Sequence, residues 1–183
     1  MRIVLDAMGS DSAPAVDVAG AVRAARRFGQ EIILVGRQAE VEAELAKHDT
    51  SDLDISVVHA EDVIEMDEHP ALVAKAKRDS SMVVGMRMVK RGEADRGIGI
   101  CGTGIGASIT ANKFDGIRAA LCTSVFMAEM SRRHNDANVL ILGARVTEES
   151  EAVAITRTWI DTPFEGGRHQ RRLDKIAAIE CGG

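Results

Sequence analysis

A thiol followed by a glycine-rich turn is the stretch of this chain best suited to chemistry: Gly97-Ile98-Gly99-Ile100-Cys101-Gly102-Thr103-Gly104-Ile105-Gly106-Ala107-Ser108. The pattern predicts a short apolar strand ending at Cys101, then a turn, then a helix from about Ala107. Glycines let main-chain N–H groups converge without side chains in the way, and a helix start adds the positive end of its dipole. Such a nest suits an anion, either a phosphate or the oxyanion of a reacting carbonyl. A thiolate beside it can act as nucleophile or general base. A cysteine at a strand end also serves as a small buried hydrophobe, so the spacing alone leaves both readings open.

Two further groups carry chemistry. His134-Asn135-Asp136 falls at the end of a predicted helix. A histidine there either stabilises the helix C-terminus or transfers protons, since its ordinary pKa lies near neutrality. Arg168, Arg171 and Arg172 cluster with His169 after a double glycine. They form either a solvated basic tail or a phosphate clamp, for which the planar guanidinium fork is suited. Asp62, Glu65, Asp67 and Glu68 read as a solvated acidic loop. His59 and His69 show no ligand spacing, and no metal site is expected.

The elements that must position these groups alternate along the chain. Strands are predicted at Arg2 to Ala7, Glu31 to Val35, Ile55 to His59, Gly97 to Cys101, Ile117 to Cys122 and Val139 to Leu142. Helices are predicted at Ala15 to Phe28, with a cap at Ser12, and at Gln38 to Lys47 and Pro70 to Lys90. Three more follow at Ser124 to Arg133, Glu148 to Ile160 and Arg168 to Ile179. Met82, Met86 and Met88 fall at helical spacing and read as core filling. Apolar strands without a polar face, alternating with helices, predict a three-layer, doubly wound, mostly parallel α/β sheet of the Rossmann-like kind in a single domain. In that architecture the functional crevice lies at the carboxyl ends of the strands. Asp11, the Cys101 turn, Cys122 and the loop around Gly143 and Arg145 fall there.

Composition narrows the function classes. Aromatics make up 3% of the chain with no tyrosine, and the formal charge is −5, so neither base-stacking platforms nor a basic nucleic-acid footprint is expected. No apolar run approaches the ~20 residues of a membrane span, and the first residues lack a signal-peptide pattern. The cysteines Cys101, Cys122 and Cys181 show no ligand spacing, and their odd number suggests a reducing cytoplasm.

From about Gly92 to Glu180 the chain closely resembles the ribose-5-phosphate isomerase B and galactose-6-phosphate isomerase family. The motifs are Cys-Gly-Thr-Gly-Ile-Gly at 101–106, Ala-Asn-Lys at 111–113 and Gly-Ile-Arg-Ala-Ala at 116–120. Ser-Arg-Arg-His-Asn-Asp-Ala-Asn-Val at 131–139 and Phe-Glu-Gly-Gly-Arg-His-Gln at 164–170 follow in the same order. The first ~95 residues resemble instead the start of the phosphate acyltransferase of bacterial phospholipid synthesis. Leu5-Asp6-Ala7-Met8-Gly9, Ile32-Ile33-Leu34-Val35-Gly36, Val63-Ile64-Glu65-Met66-Asp67-Glu68 and Lys77-Arg78-Asp79-Ser80-Ser81-Met82 carry that resemblance. The chain therefore reads as a chimera of two α/β halves, 1–95 and 96–183, packing as one domain.

The isomerase resemblance implies aldose–ketose isomerisation of a sugar phosphate, ribose 5-phosphate to ribulose 5-phosphate or a six-carbon 6-phosphate, without metal or organic cofactor. It makes Cys101 the base that moves a proton between C1 and C2. Thr103 and the Gly102, Gly104 and Gly106 turn, with Ser108, would bind the enediolate. His134 would assist ring opening, and Asn135 and Asp11 would bind the sugar. Arg145, Arg168 and Arg172 would hold the phosphate. It also implies a homodimer, with the last helix reaching across the interface. The family's Gly-Ser-Asp-His-Ala signature is met here by Gly9-Ser10-Asp11-Ser12-Ala13, with serine for histidine, and a sugar-contacting tyrosine has no counterpart. A catalytically incomplete chimeric scaffold is therefore one alternative, and an acyl-phosphate-binding remnant of the acyltransferase another.

Overall fold

Aliphatic runs bounded by glycine or charge build the strands, and residues 1–64 and 77–181 are described in the computed structural model. They divide into two compact units, Met1–Ile100 and Cys101–Gly183.

The first unit contains β1 (Arg2–Asp6), α1 (Ala15–Phe28), β2 (Glu31–Gly36), α2 (Gln38–Leu45), β3 (Ile55–His59) and α3 (Ser81–Arg91). It also holds all but the last residue of β4 (Arg96–Cys101). The strands pair in parallel in the order β3-β2-β1-β4, with Val4 between Ile33 and Gly97. α1 buries Val18, Ala21, Val22 and Ala25, the i, i+3, i+4, i+7 stripe of an amphipathic helix. Gly29 ends it at φ 61°, its N–H bonded to the Ala25 carbonyl. Leu34, Val18 and Val41 are fully enclosed in the core, and each such burial contributes about 1.5–3 kcal/mol.

Two sequence expectations change here. Ser12 does not cap α1, because Pro14 takes that position while residues 10–13 close a turn through Ala13 N–H and the Ser10 carbonyl. The long helix expected from Pro70 starts only at Ser81 among the described residues. Asp62 and Ser80 form a parallel bridge that holds Ser80 extended. Residues 65–76, including His69 and most of the acidic run, lie outside the described residues. Met86 and Met88 are buried in α3, as expected of core filling.

The second unit contains α4 (Ile105–Ala111), β5 (Ala119–Leu121), α5 (Val125–Asn135), β6 (Val139–Gly143), α6 (Glu149–Asp161) and α7 (Arg168–Cys181). β5 and β6 are parallel, and every residue of β6 is buried. β5 is shorter than the predicted Ile117 to Cys122. Ile117 N–H turns to the Phe114 carbonyl, and Arg118 N–H goes to Asn138 Oδ1 at 2.8 Å. Trp159 and Ile155 of α6 are fully buried, and the Arg132 guanidinium lies 5.8 Å from the Trp159 ring.

Candidate active site

The second unit holds the sequence-derived site residues other than Asp11, and two clusters stand out in it. In the first, β4 delivers Cys101 to the glycine turn. The Cys101 carbonyl accepts from Ala144 N–H and the Gly102 carbonyl from Arg145 N–H, both at 2.9 Å, which pins the segment after β6 against the turn. Two glycines make that approach possible. A Cβ on Gly143 would lie 2.6 Å from the Thr103 carbonyl oxygen, and one on Gly104 would meet Leu121 Cδ1 at 2.5 Å. Gly104 also sits at φ 79°, a conformation that suits glycine. The Arg145 guanidinium lies over Gly102, its Nε 3.5 Å from where a Cβ would be.

Around that turn the Cys101 thiol is half-buried, while Thr103 and Gly106 are exposed. Thr103 Oγ1 accepts from Ile105 N–H at 3.4 Å. α4 starts at Ile105, before the expected Ala107, and carries half-buried Ser108 on its second turn. Asn112 clamps the end of that helix to β5, donating to the Ala119 carbonyl and accepting from Ala119 N–H at 2.9 Å each. Cys122, expected near the crevice, is enclosed instead. Its sulfur lies 3.9 Å from Ser131 Oγ, and burial pushes the thiol pKa up to about 11. Cys122 is therefore a packing residue and not a nucleophile.

The second cluster forms where α5 ends and α7 begins. Asp136 closes α5 at φ 43°, its carbonyl accepting from Arg118 Nη2 at 2.8 Å and its carboxylate pairing with buried Arg132 at 2.8 Å. Arg132 also donates to the Ala137 carbonyl at 2.6 Å. Burial lowers its pKa, and the Asp136 carboxylate opposes that shift. This frame fixes His134 and Asn135, whose carbonyl accepts from Arg118 Nε at 3.0 Å. The His134 ring stacks on His169 with centroids 4.2 Å apart and planes within 5°. His169 is buried, and its Nε2 accepts from Arg168 Nε at 3.2 Å. The Glu165 carboxylate lies 3.9 Å from His134 Nε2 and 3.7 Å from His169 Nε2. Desolvation holds the His169 pKa below the ordinary imidazole value. The neighbouring side chains of His134, Arg168 and Arg172 add to this, and Glu165 opposes it.

One donor atom from each of His134, Glu165 and His169 lies within 4.8 Å of the others, the reach of a metal centre. The two imidazoles are stacked face to face, however, and Arg168 already occupies His169 Nε2. As arranged, the two imidazoles stack and the Glu165 carboxylate lies within 4 Å of both. His59, which shows no ligand spacing in the sequence, lies beside Glu61 at 3.2 Å on the surface.

Asp11 belongs to the first unit and is exposed in the turn after β1. A neighbouring carboxylate escaped the sequence reading. Asp6 ends β1, is half-buried, and accepts from Met8 N–H at 2.9 Å. Burial raises its pKa and Asp17 adds to the rise, while hydrogen bonds from Ser81 and Met8 oppose it. An aspartate closing an otherwise apolar strand was the available signal. Glu165 was missed as well, because only the fold brings it to His134 from 31 residues away.

Parallel strands linked by helices make this a Rossmann-like α/β protein, as the alternation of elements predicted. The chain belongs to the Ribose/Galactose Isomerase family, whose model matches residues 78–176. It is 53% identical over 92 residues to ribose-5-phosphate isomerase B of Escherichia coli, a match covering 50% of this chain and 62% of that protein. It is 60% identical over 95 residues to the phosphate acyltransferase of Herpetosiphon aurantiacus, covering 52% of this chain and 26% of that protein. The chain thus spans less than two thirds of either of these two relatives, and it is a chimera of the two kinds. The structure of Clostridium thermocellum ribose-5-phosphate isomerase B aligns over 100% of this chain and 99% of that one, with TM-score 0.68 and 32% identity.

Proposed function

We propose that the chain is an enzyme interconverting ribose 5-phosphate and ribulose 5-phosphate through an enediolate. The observation that carries this reading is the half-buried Cys101 thiol at the end of β4, beside a glycine turn held under Arg145. In this reading the Cys101 thiolate takes the proton from C2 of the open aldose and returns it at C1. The Gly102–Gly106 turn and Thr103 face the enediolate oxygen, where fixed donors act most strongly. His134 moves the ring-opening proton, Asn135 and Asp11 bind hydroxyls, and Ser108 lies beside the turn. Arg145, Arg168 and Arg172 anchor the phosphate, which converts a weakly held sugar into an oriented one. The chemistry asks for a base, an oxyanion site and an anchor, and so for no added cofactor.

The same reading includes a homodimer in which the His134 cluster of one copy completes the Cys101 cluster of the other. Phe126, Ile179, Ile105 and Ile109 support it, since each is more than half exposed on the second unit. No helix among the described residues is long and apolar enough to cross a membrane, and free Cys101 and Cys122 fit a reducing cytoplasm.

Ribulose 5-phosphate formation from ribose 5-phosphate tests the proposal, with Cys101→Ala alongside. Turnover that disappears in the variant supports it. A folded wild type without turnover on this substrate or on a six-carbon 6-phosphate overturns it. The incomplete-scaffold reading, favoured by Ser12 and by the absence of tyrosine, then stands. Acyl-phosphate formation from acyl-carrier protein would support the acyltransferase-remnant reading.

A further inference from the structure

We infer that His169 is a positioning residue whose neutral ring sets two others at once, accepting the Arg168 Nε–H on its edge and backing the His134 imidazole on its face. The inference rests on the isomerase reading only for the roles given to Arg168 and His134.

The hydrogen bonding assigns the tautomer. His169 Nε2 accepts from Arg168, so the ring proton belongs on Nδ1. That Nδ1 is buried and has no hydrogen-bond partner among the described residues. A buried unpaired donor is unfavourable, so the ring is held in place by other contacts. They are identifiable. His169 N–H closes on the Gly166 carbonyl at 3.0 Å, and Glu165 N–H ties the same loop to the Arg133 carbonyl at 3.1 Å. Leu173 is buried one turn further along α7. His169 is therefore fixed from its own helix, from the loop before it and from α5.

The charges around it favour the neutral form. His134 and Arg133 face this region from α5, Arg168 and Arg172 from α7, and Glu165 from the intervening loop. Glu165 is the opposing carboxylate, and it is shared with Arg133 at 3.6 Å and with His134. A proton on His169 Nε2 would break the Arg168 bond and place a cation beside that guanidinium. It would also repel a protonated His134 across the stack. A neutral His169 leaves His134 free to carry the proton that ring opening requires.

Two substitutions separate the functions. His169→Gln keeps an acceptor near Nε2 and loses the stacking face. His169→Phe keeps a ring face and loses the acceptor. For His169→Gln the expected result is KM close to wild type, kcat lower by about tenfold, and a displaced acidic limb of the kcat profile. His169→Phe should raise KM by about tenfold, the loss of one hydrogen bond to a charged group, with kcat largely kept. Equal changes in kcat and KM in both variants would overturn the inference, because that is the signature of general disruption. Imidazole nitrogen NMR of the wild-type protein decides the point even if the chain shows no isomerase activity. A neutral Nδ1–H tautomer, with His134 titration altered in His169→Gln but not in His169→Phe, upholds it. An Nε2–H tautomer, or a His169 charged at neutral pH, ends it.

Discussion

The two units treat their apolar residues differently. Met1–Ile100 encloses its aliphatic side chains around Val18, Leu34 and Val41, and among the described residues only Met1, Val16 and Ile100 are exposed large hydrophobics. Cys101–Gly183 exposes eight among the described residues, with Phe126 at 69% and Ile179 at 75%. Their polar groups differ in the same sense. The first unit desolvates carboxylates, Asp6 and Asp17, against hydroxyls. The second stacks imidazoles beside arginines at a helix junction. The first unit completes its core within one chain, and its desolvated Asp6 is a cost to stability at neutral pH. The unit with open apolar faces and an imidazole–arginine cluster is the one for which a second copy and a phosphate are proposed above.

Breaking the active turn should give the largest effect. Cys101→Ala is expected to lower kcat by about 10²–10⁴-fold, the range of a positioned general base, with the far-ultraviolet circular dichroism unchanged. Retained turnover would remove the second unit's claim to the chemistry. A matched pair of glycines sharpens the contrast next. Gly104→Ala combines φ 79° with a Cβ 2.5 Å from Leu121 Cδ1, whereas Gly29→Ala in the first unit has φ 61° and open space around it. The first should cost about 2–4 kcal/mol from strain and overpacking together, and the second about 1 kcal/mol. Urea titrations of both variants would show equal losses if the turn can relax.

The Asp6 prediction concerns pH. Its folded-state pKa is raised, so between the unfolded value near 3.8 and the raised value the folded state holds a proton that the unfolded chain releases. Stability from this group is present at low pH and is lost as pH rises through that window. Asp6→Asn keeps an acceptor for Met8 N–H and carries no charge, so it should raise Tm at pH 7 by about 2–4 °C per kcal/mol regained. The advantage should vanish near pH 4, as thermal melts across pH would record. Ser12→His should have the smallest effect. Ser12 is exposed in the turn before α1, so the change should stay within about 0.5 kcal/mol in stability. A large gain in kcat/KM would mean that the borrowed turn already presents this position to the sugar.

Much of this was legible because parallel strands are uniform apolar runs and helices repeat at i, i+3, i+4. Arg2 to Asp6, Glu31 to Gly36 and α1 could be read from side-chain pattern alone. Element ends failed where tertiary bonds won. Ser80 is drawn into a bridge with Asp62, and Arg118 N–H is taken by Asn138. α4 starts early because Gly104 must be left-handed to pass Leu121 and Ile141, which no local propensity encodes. Cys101, His134 and the arginines could be read from residue type and motif. The stacking of His134 on His169 and the approach of Glu165 depend on where α5 stops, and that is set by Arg118 and Arg132 holding Asp136.

The boundary between the units falls between Ile100 and Cys101, inside β4. Ile3, Val4 and Leu5 of β1 recognise β4 at Arg96, Gly97 and Ile98 through main-chain bonds, which are indifferent to the side chains exchanged. A strand is thus a splice site that preserves grammar while the vocabulary on either side changes. A junction in such a strand joins the candidate turn to a different first half, and Gly97 and Gly99 leave few side chains to reconcile.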